Sequence, residues 1–194
     1  MDLQEKQGTS LLKLEKDAPN VYEKLQALKR TGWVESGVEN PESVKEHTIA
    51  LLELANTLSE DLTEEENDQL LDMLEVHDWP EAIHGDEVIL DENPEDRKHK
   101  KQLKFEAEKM AMEKICADVP NGDQLLELWL RFETSDDPAA SFGRQLDKYQ
   151  AVDKALEYEK EQGIELFEEF YTYSINHISH PILLEMMINL KQKK

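Results

Sequence analysis

Hydrophobic positions recur along most of this chain with the three- and four-residue spacing of an amphipathic helix. No stretch alternates apolar and polar residues for long enough to predict a sheet. The pattern predicts a first helix near 10–30, broken around Pro19, and further helices at 41–58, 63–78, 94–118, 123–134, 138–162, 164–177 and 181–192. We therefore expect an all-α protein, a single helical bundle of about seven to nine helices.

Capping signals support several of these helix boundaries. Thr63, with Glu66 three positions later, is typical of a capping box. A polar residue followed by proline predicts a helix start at Asn40-Pro41, Asn93-Pro94 and Asp137-Pro138. Three glycines are predicted to end helices: Gly32, Gly122 and Gly163. The segment from Asp78 to Glu92 is rich in turn residues and is the exception to the helical pattern.

The composition narrows the classes of partner. The chain has 194 residues, with 22 basic and 44 acidic side chains and a formal net charge of −22. This length suits one domain with a substantial core. A strongly negative surface repels nucleic-acid polymers and anionic membranes, so we expect neither as a partner. A small anionic substrate remains compatible, because one bound cation outweighs diffuse negative charge at short range.

Targeting features are few. The single cysteine, Cys116, excludes an internal disulfide and is expected to be a buried thiol. The first residues lack the apolar run of a signal peptide, and no apolar stretch reaches the length of a membrane span. We expect a cytoplasmic protein.

Four potential metal ligands lie on three predicted helices: His47, the pair His77-Asp78, and Asp147. Each has an ordinary explanation, because a buried histidine can be satisfied by hydrogen bonds and Asp147 can lie at the surface. Asp78 is harder to explain, since an inward carboxylate needs a cation or several donors. Taken together, the four predict one divalent cation.

The donor set limits the metal and its chemistry. Two imidazoles and two carboxylates suit Mn²⁺, Fe²⁺, Co²⁺, Ni²⁺ or Zn²⁺, with Mg²⁺ a further candidate. Glu81 follows the ligand pair within one turn and could orient or deprotonate a water, and Asp86 lies on the next turn. Gly143 and Ala151 flank Asp147 on its helix, which suggests that a metal approaches the backbone there.

Longer motifs surround these ligands. They are Arg30-Thr-Gly-Trp33-Val, Pro41-Glu-Ser-Val-Lys-Glu-His47, His77-Asp-Trp-Pro-Glu81-Ala-Ile-His-Gly85-Asp86 and Arg144-Gln-Leu-Asp147. Together they resemble the HD-domain 5′-deoxynucleotidases, within the HD-domain phosphohydrolases. The resemblance covers about residues 28–186, which we take as the core of a single HD domain spanning 1–194, with the helix at 10–27 as an accessory.

The resemblance implies a usually dimeric, all-helical, metal-dependent phosphomonoesterase. Its substrates would be deoxyribonucleoside 5′-monophosphates, and its products a deoxynucleoside and phosphate. The positions matching the metal ligands are His47, His77, Asp78 and Asp147, with Asp78 also counted as catalytic. Those matching the other roles are Glu81 for proton transfer, Asp86 for holding the sugar, Trp33 for walling off the ribose side and Arg30 for the phosphate. In the bacterial 5′-deoxynucleotidase an arginine directly precedes the matching tryptophan, whereas this chain has Gly32 at that position. Arg30 is the nearest basic residue, so its assignment to the phosphate departs from the family pattern.

Alternatives remain at this stage. The same site could act on another phosphoester, a nucleoside triphosphate or a cyclic nucleotide, or it could be vestigial in an acidic helical interaction protein. His84 could be an extra ligand or a loop histidine. The basic run at 97–104 could face the phosphate or form an exposed helix face. The apolar patch at 183–187 could form a homodimer interface or belong to the core.

Overall fold

The computed structural model describes residues 11–58, 62–89 and 93–194. The helices in these ranges are α1 (Pro19–Ala27), α2 (Thr31–Glu35), α3 (Val44–Leu58), α4 (Glu64–Val76), α5 (Glu81–His84), α6 (Pro94–Cys116), α7 (Gly122–Thr134), α8 (Pro138–Gln162), α9 (Phe167–Ile175) and α10 (Pro181–Lys193). No strand occurs in the described ranges, where the only β pairing is a single bridge between Lys29 and Ser43. The all-α prediction is confirmed.

The predicted capping signals operate at three helix starts. Thr63 and Glu66 form a complete capping box at the start of α4. Asn93 accepts a hydrogen bond from the backbone of Glu95 before α6, and Asp137 accepts one from Ala140 before α8. These side chains satisfy backbone N–H groups that have no partner within the helix.

The predicted start of α3 at residue 41 is wrong. The backbone around Ser43 pairs instead with the segment after α1, since Val44 N–H donates to Leu28 O at 3.0 Å and Arg30 N–H donates to Glu42 O at 3.2 Å. This pairing requires an extended chain, so the helix begins only at Val44. The side chain of Glu42 thereby comes to lie beside the helices rather than on one.

Other boundary predictions also need correction. The first helix begins at Pro19, and residues 11–18 are not α-helical; its predicted start at residue 10 lies outside the described residues. The short helices α2 and α5 were not predicted, and Gly32 lies inside α2. Gly122 begins α7 rather than ending α6, and a Cβ there would lie 1.8 Å from Cys116 O, so only glycine fits this close approach. Gly163 ends α8 with φ 69°, as predicted.

The hydrophobic core lies between α3, α4, α7 and α8, with α1 and α10 packed on its outside. Gly143 on α8 serves this packing, because a Cβ at that position would lie 3.0 Å from side-chain carbons of both Leu70 and Phe132. The small residue beside Asp147 is therefore explained by contact between helices, and the suggestion that a metal approaches the backbone at Gly143 is wrong.

The apolar patch near the C-terminus belongs to the core. Leu183 and Met187 are fully buried, while Leu184 and Met186 are partly buried and pack against the same cluster. Cys116 is a buried free thiol, as expected. Within the described ranges, every helix is too short or too polar to cross a membrane.

Candidate metal centre

Three helices bring the predicted ligands to one place. His47 lies on α3, His77 caps the C-terminus of α4 with Asp78 directly after it, and Asp147 lies on α8. One ligand atom from each of His47, His77 and Asp78 lies within 4.8 Å of the other two. Asp147 Oδ1 lies 3.1 Å from His47 Nε2 but is not part of that mutually close set. The structure thus groups three ligands tightly and places the fourth beside one of them.

The turn that carries His77 and Asp78 is held by a tryptophan from a neighbouring helix. Trp129 on α7 donates its indole N–H to the backbone oxygen of His77 at 3.1 Å, and Trp79, which follows Asp78 in the same turn, is fully buried. Tyr22 on α1 packs edge-on against Trp79, with ring centroids 5.8 Å apart. The aromatic core therefore fixes the backbone from which the ligand pair projects.

Both histidines direct a ring nitrogen towards the carboxylates of the site. The second nitrogen, Nδ1, faces Gln150 Oε1 at 2.9 Å in His47 and Leu74 O at 2.7 Å in His77. Because oxygen accepts in both contacts, Nδ1 carries the proton and Nε2 is left with a lone pair in the neutral ring. The two Nε2 atoms are buried and make no hydrogen bond, but each faces a carboxylate oxygen: Asp147 Oδ1 at 3.1 Å from His47 and Asp78 Oδ2 at 3.0 Å from His77. Buried nitrogens in this arrangement fit metal ligands, because metal-bound histidines commonly donate their other N–H to an oxygen.

Charges in the site are strongly coupled. Burial alone would lower the pKa of His77, but the negative charge of Asp78 raises it to about 9. Burial would likewise raise the pKa of Asp78, but His77 and Arg30 lower it to about 2. The pKa of Asp147 is also lowered, against the effect of burial, by its contact with His47. In the metal-free protein these groups form a compact network of ion pairs that a divalent cation can replace.

Glu81 is the buried carboxyl next to the ligands. It begins α5, and its Oε2 has no hydrogen-bond partner. Burial raises its pKa well above the usual range, and the negative charges of Asp78 and Asp86 raise it further. A carboxyl whose pKa is raised in this way binds a proton more readily than an exposed one, which suits a group that exchanges protons during a reaction.

Arg30 and Asp86 lie at the edge of the centre. Arg30 Nη1 is 3.3 Å from Asp78 Oδ2, so its positive charge reaches the ligand cluster. Asp86 accepts a hydrogen bond from Thr31 N–H through its carboxylate, and its backbone oxygen accepts one from the Thr31 hydroxyl. These two bonds hold the segment after α5 against the start of α2 and leave the other carboxylate oxygen of Asp86 outside that contact.

The side chain of Trp33 is more buried than contact with the sugar of a substrate would require. Its side chain is 2% exposed and stacks on Phe170, with ring centroids 4.5 Å apart and planes inclined by 25°. Its indole N–H donates to Glu42 at 3.1 Å. This structure gives Trp33 a packing role, and contact with a sugar stays a prediction.

The remaining sequence candidates lie outside the ligand cluster. His84 is exposed at the end of α5, 4.0 Å from a carboxylate oxygen of Glu87. Lys104 donates to Glu87 O at 2.7 Å and lies 3.4 Å from Glu108, so it reaches the side of α5. The other basic residues of the run lie on an exposed part of α6.

Sequence reasoning missed Gln150 and Glu42. Gln150 lies three residues after Asp147 on the inward side of α8, a spacing that could have identified it. Glu42 precedes its helix and reaches the centre only through the extended pairing of residues 42–44, for which the sequence carries no local signal.

Comparison with known proteins defines the class. The HD domain family model matches residues 22–186, and the chain belongs to this family. HD domains bind divalent metals, and the grouped His47, His77 and Asp78 fit that property.

Particular relatives follow from the same comparison. The chain is 31% identical over 173 residues to the mouse 5′-deoxynucleotidase HDDC2, covering 88% of this chain and 83% of that protein. It is 26% identical over 177 residues to the 5′-deoxynucleotidase hdd1 of Schizosaccharomyces pombe, covering 88% and 85%. Among solved structures, the PH0347 protein from Pyrococcus horikoshii OT3 is similar, with a TM-score of 0.71, 25% identity and coverage of 92% of this chain and 99% of that one.

Proposed function

We propose that this protein hydrolyses deoxyribonucleoside 5′-monophosphates to a deoxynucleoside and phosphate. The proposal is supported by the names of the relatives, which match most of both chains. The observation that carries it is the pair of buried imidazoles of His47 and His77, whose Nε2 atoms make no hydrogen bond and face the carboxylates of Asp147 and Asp78. The two imidazoles lie with Asp78 in one compact cluster, in which one ligand atom of each residue is within 4.8 Å of the other two.

The proposed metal site consists of His47, His77, Asp78 and Asp147. Imidazole nitrogen and carboxylate oxygen donors favour Mn²⁺, Fe²⁺, Co²⁺, Ni²⁺ or Zn²⁺, and Mg²⁺ is the further candidate. A cation bound there would neutralise phosphoryl oxygens and lower the pKa of a bound water. Asp78 is the ligand most closely coupled to the other groups, because it also contacts Arg30.

Substrate binding is assigned to Arg30, Asp86 and Trp33. The Arg30 guanidinium offers a charged, forked donor for the dianionic phosphate, 3.3 Å from Asp78. Asp86 is held by Thr31 at the same edge and is proposed to accept a hydrogen bond from the deoxyribose. Trp33 is proposed to limit the space on the ribose side from its buried position against Phe170.

Glu81 is the proposed proton-transfer group. Burial and the neighbouring carboxylates raise the pKa of Glu81 well above its usual range, so its buried carboxyl binds a proton more readily than an exposed one. In the reaction it would exchange a proton with water or with the leaving 5′ oxygen. Arg30 would meanwhile hold the phosphate in place, so that the proton transfer occurs at a fixed atom.

A direct assay tests the proposal. Purified protein is stripped with a chelator, reloaded with Co²⁺ or Mn²⁺, and assayed for phosphate release from the four deoxyribonucleoside 5′-monophosphates. Matching ribonucleotides, a deoxynucleoside triphosphate and a cyclic nucleotide complete the panel, since each alternative gives a different product. We expect phosphate release from the deoxyribonucleotides and much slower release from the ribonucleotides. Absence of any turnover with metal shown to be bound would refute the proposal, and Asp78→Asn controls for a contaminating phosphatase.

We also propose a homodimer, supported by the resemblance to a usually dimeric family. The patch at 183–187 does not support it, because Leu183 and Met187 are buried within the chain itself. Ile188 and Tyr173 are large exposed hydrophobic side chains on α10 and α9 that an interface could cover. Light scattering at micromolar concentration should give twice the chain mass, and a single-chain mass would refute the dimer.

A further inference from the structure

A continuous chain of buried hydrogen bonds connects Trp33 to the candidate metal ligand His47. Trp33 Nε1 donates to Glu42 Oε1 at 3.1 Å, and Gln150 Nε2 donates to Glu42 Oε2 at 3.3 Å. Gln150 Oε1 faces His47 Nδ1 at 2.9 Å. The exposed fractions are 8% for Glu42, 7% for Gln150 and 0% for His47, so water does not compete for these contacts.

The direction of each hydrogen bond in this chain follows from Glu42. A carboxylate only accepts, so the amide nitrogen of Gln150 must face Glu42 and its amide oxygen must face the imidazole. The reverse orientation would place two oxygens in contact inside a buried site. Because the amide oxygen also only accepts, His47 must donate from Nδ1, which leaves the lone pair on Nε2.

Glu42 acts on His47 only through Gln150. Glu42 Oε1 lies 4.0 Å from His47 Nδ1, which is beyond hydrogen-bond distance. The position of Glu42 is in turn set by the extended backbone before α3 and by Tyr158, whose hydroxyl accepts from Glu42 N–H at 2.8 Å. At His77 the corresponding nitrogen, Nδ1, faces the backbone oxygen of Leu74 instead of a side chain.

We infer that Glu42 is a positioning residue for the metal centre: through Gln150 it holds His47 in the Nδ1–H tautomer and directs Nε2 at the cation. We call Glu42 and Gln150 the Glu42 relay. The inference rests on the proposed function, in that it takes His47 as a metal ligand. It adds two residues to the centre that bind neither metal nor substrate, and it connects the centre to the buried cluster around Trp33.

Metal affinity tests the relay without relying on activity. The metal-free full-length protein is titrated with Co²⁺, and binding is followed by visible absorbance. Loss of a partner behind a metal-bound histidine costs about 10- to 100-fold in affinity. We therefore expect Glu42→Gln and Gln150→Met each to raise the Kd for Co²⁺ by about 10-fold or more. The double variant should bind Co²⁺ with the same affinity as the weaker-binding single variant, because both changes remove the same constraint on His47 Nδ1.

A matched control separates the relay from general loss of stability. Glu75 is also a buried glutamate, 2% exposed, and it accepts hydrogen bonds from the Tyr22 hydroxyl and from Leu14 N–H, both at 2.7 Å. Glu75→Gln should lower the free energy of unfolding and leave the Kd for Co²⁺ at the wild-type value. If Glu42→Gln fails to fold, Gln150→Met makes the same measurement, because it removes the acceptor for His47 together with the donor to Glu42.

The outcomes are distinct. Wild-type affinity in the folded relay variants, additive losses in the double variant, or an equal loss in Glu75→Gln would each overturn the relay. Protein that binds Co²⁺, shows the expected losses and hydrolyses no deoxyribonucleotide would support the relay and refute the proposed substrate. A wild-type protein that binds no Co²⁺ would overturn both.

Discussion

Arg30 Nη1 lies 3.3 Å from Asp78 Oδ2, so the residue before α2 forms an ion pair with the turn after α4. The Arg30 side chain is 20% exposed and that of Asp78 is 14% exposed. A cation that binds Asp78 competes with Arg30 for the same carboxylate. Arg30 would then be released to contact an incoming phosphate, which connects metal binding to substrate binding.

The first prediction follows from this pair. Arg30→Met should reduce kcat/KM for a deoxyribonucleotide by about 10- to 100-fold, since a charged hydrogen bond contributes about 1.5–3 kcal/mol. The Kd for Co²⁺ should stay equal or fall, because the competitor for Asp78 is gone. Steady-state kinetics and a Co²⁺ titration measure the two effects. Arg131→Met is the control, because Arg131 pairs with Asp137 instead, and an unchanged kcat/KM in Arg30→Met would contradict the phosphate role.

The second prediction concerns Glu81. Glu81→Gln keeps the shape of the side chain and removes its exchangeable carboxyl proton. We expect kcat to fall by about 10²- to 10⁴-fold, the usual contribution of a general acid or base. The Kd for Co²⁺ should change by less than about threefold, because Glu81 is not among the grouped ligands. A kcat near the wild-type value would exclude Glu81 from proton transfer.

Metal binding should depend on pH through His77. Its pKa in the metal-free protein is raised to about 9 by Asp78, so at neutral pH His77 carries a proton that the metal must displace. The affinity for Co²⁺ should therefore increase as pH rises towards 9, by up to about tenfold per pH unit for one released proton. Calorimetry at pH 7 in two buffers with different ionisation enthalpies should detect that proton. Affinity that does not change between pH 6.5 and 8.5 would contradict this coupling.

The same shift predicts the pH dependence of stability in the metal-free protein. His77 has a folded-state pKa above its ordinary value of 6.5, so its contribution is fully present below pH 6.5. That contribution is lost as pH rises from 6.5 through about 9. Urea unfolding across this range should show the decrease, and His77→Gln should reduce the dependence on pH.

Gly143→Ala tests the packing explanation for the glycine beside Asp147. The new Cβ would lie 3.0 Å from carbons of Leu70 and Phe132. Alanine gains about 1 kcal/mol in helix propensity, but overpacking costs about 1–3 kcal/mol, so we expect a net loss of about 0–2 kcal/mol. Chemical denaturation measures this loss, which should shrink in a Leu70→Val background. A large loss of Co²⁺ affinity with unchanged stability would instead restore the metal explanation.

Much of the fold was accessible from the sequence because its signals are local. The capping box of Thr63 and Glu66, the capping residues Asn93 and Asp137, and the helical spacing of apolar side chains each depend on neighbours within one or two turns. The short helices α2 and α5 were not predicted, because a helix of only four or five residues is too short to show a periodic pattern of apolar positions. The start of α3 was misplaced because pairing with a distant segment overrode the Asn40-Pro41 signal.

The sequence by itself determined the helical class and the identity of His47, His77 and Asp78, which the structure brings together. Only the tertiary structure decided how those ligands are held. The contact between His47 and Gln150 joins residues 103 apart in the chain, and that between Trp33 and Glu42 depends on an extended segment that no periodicity reveals. The physical reason is that hydrogen-bond direction, burial and charge coupling arise between side chains from different helices. These properties exist only after the core has packed.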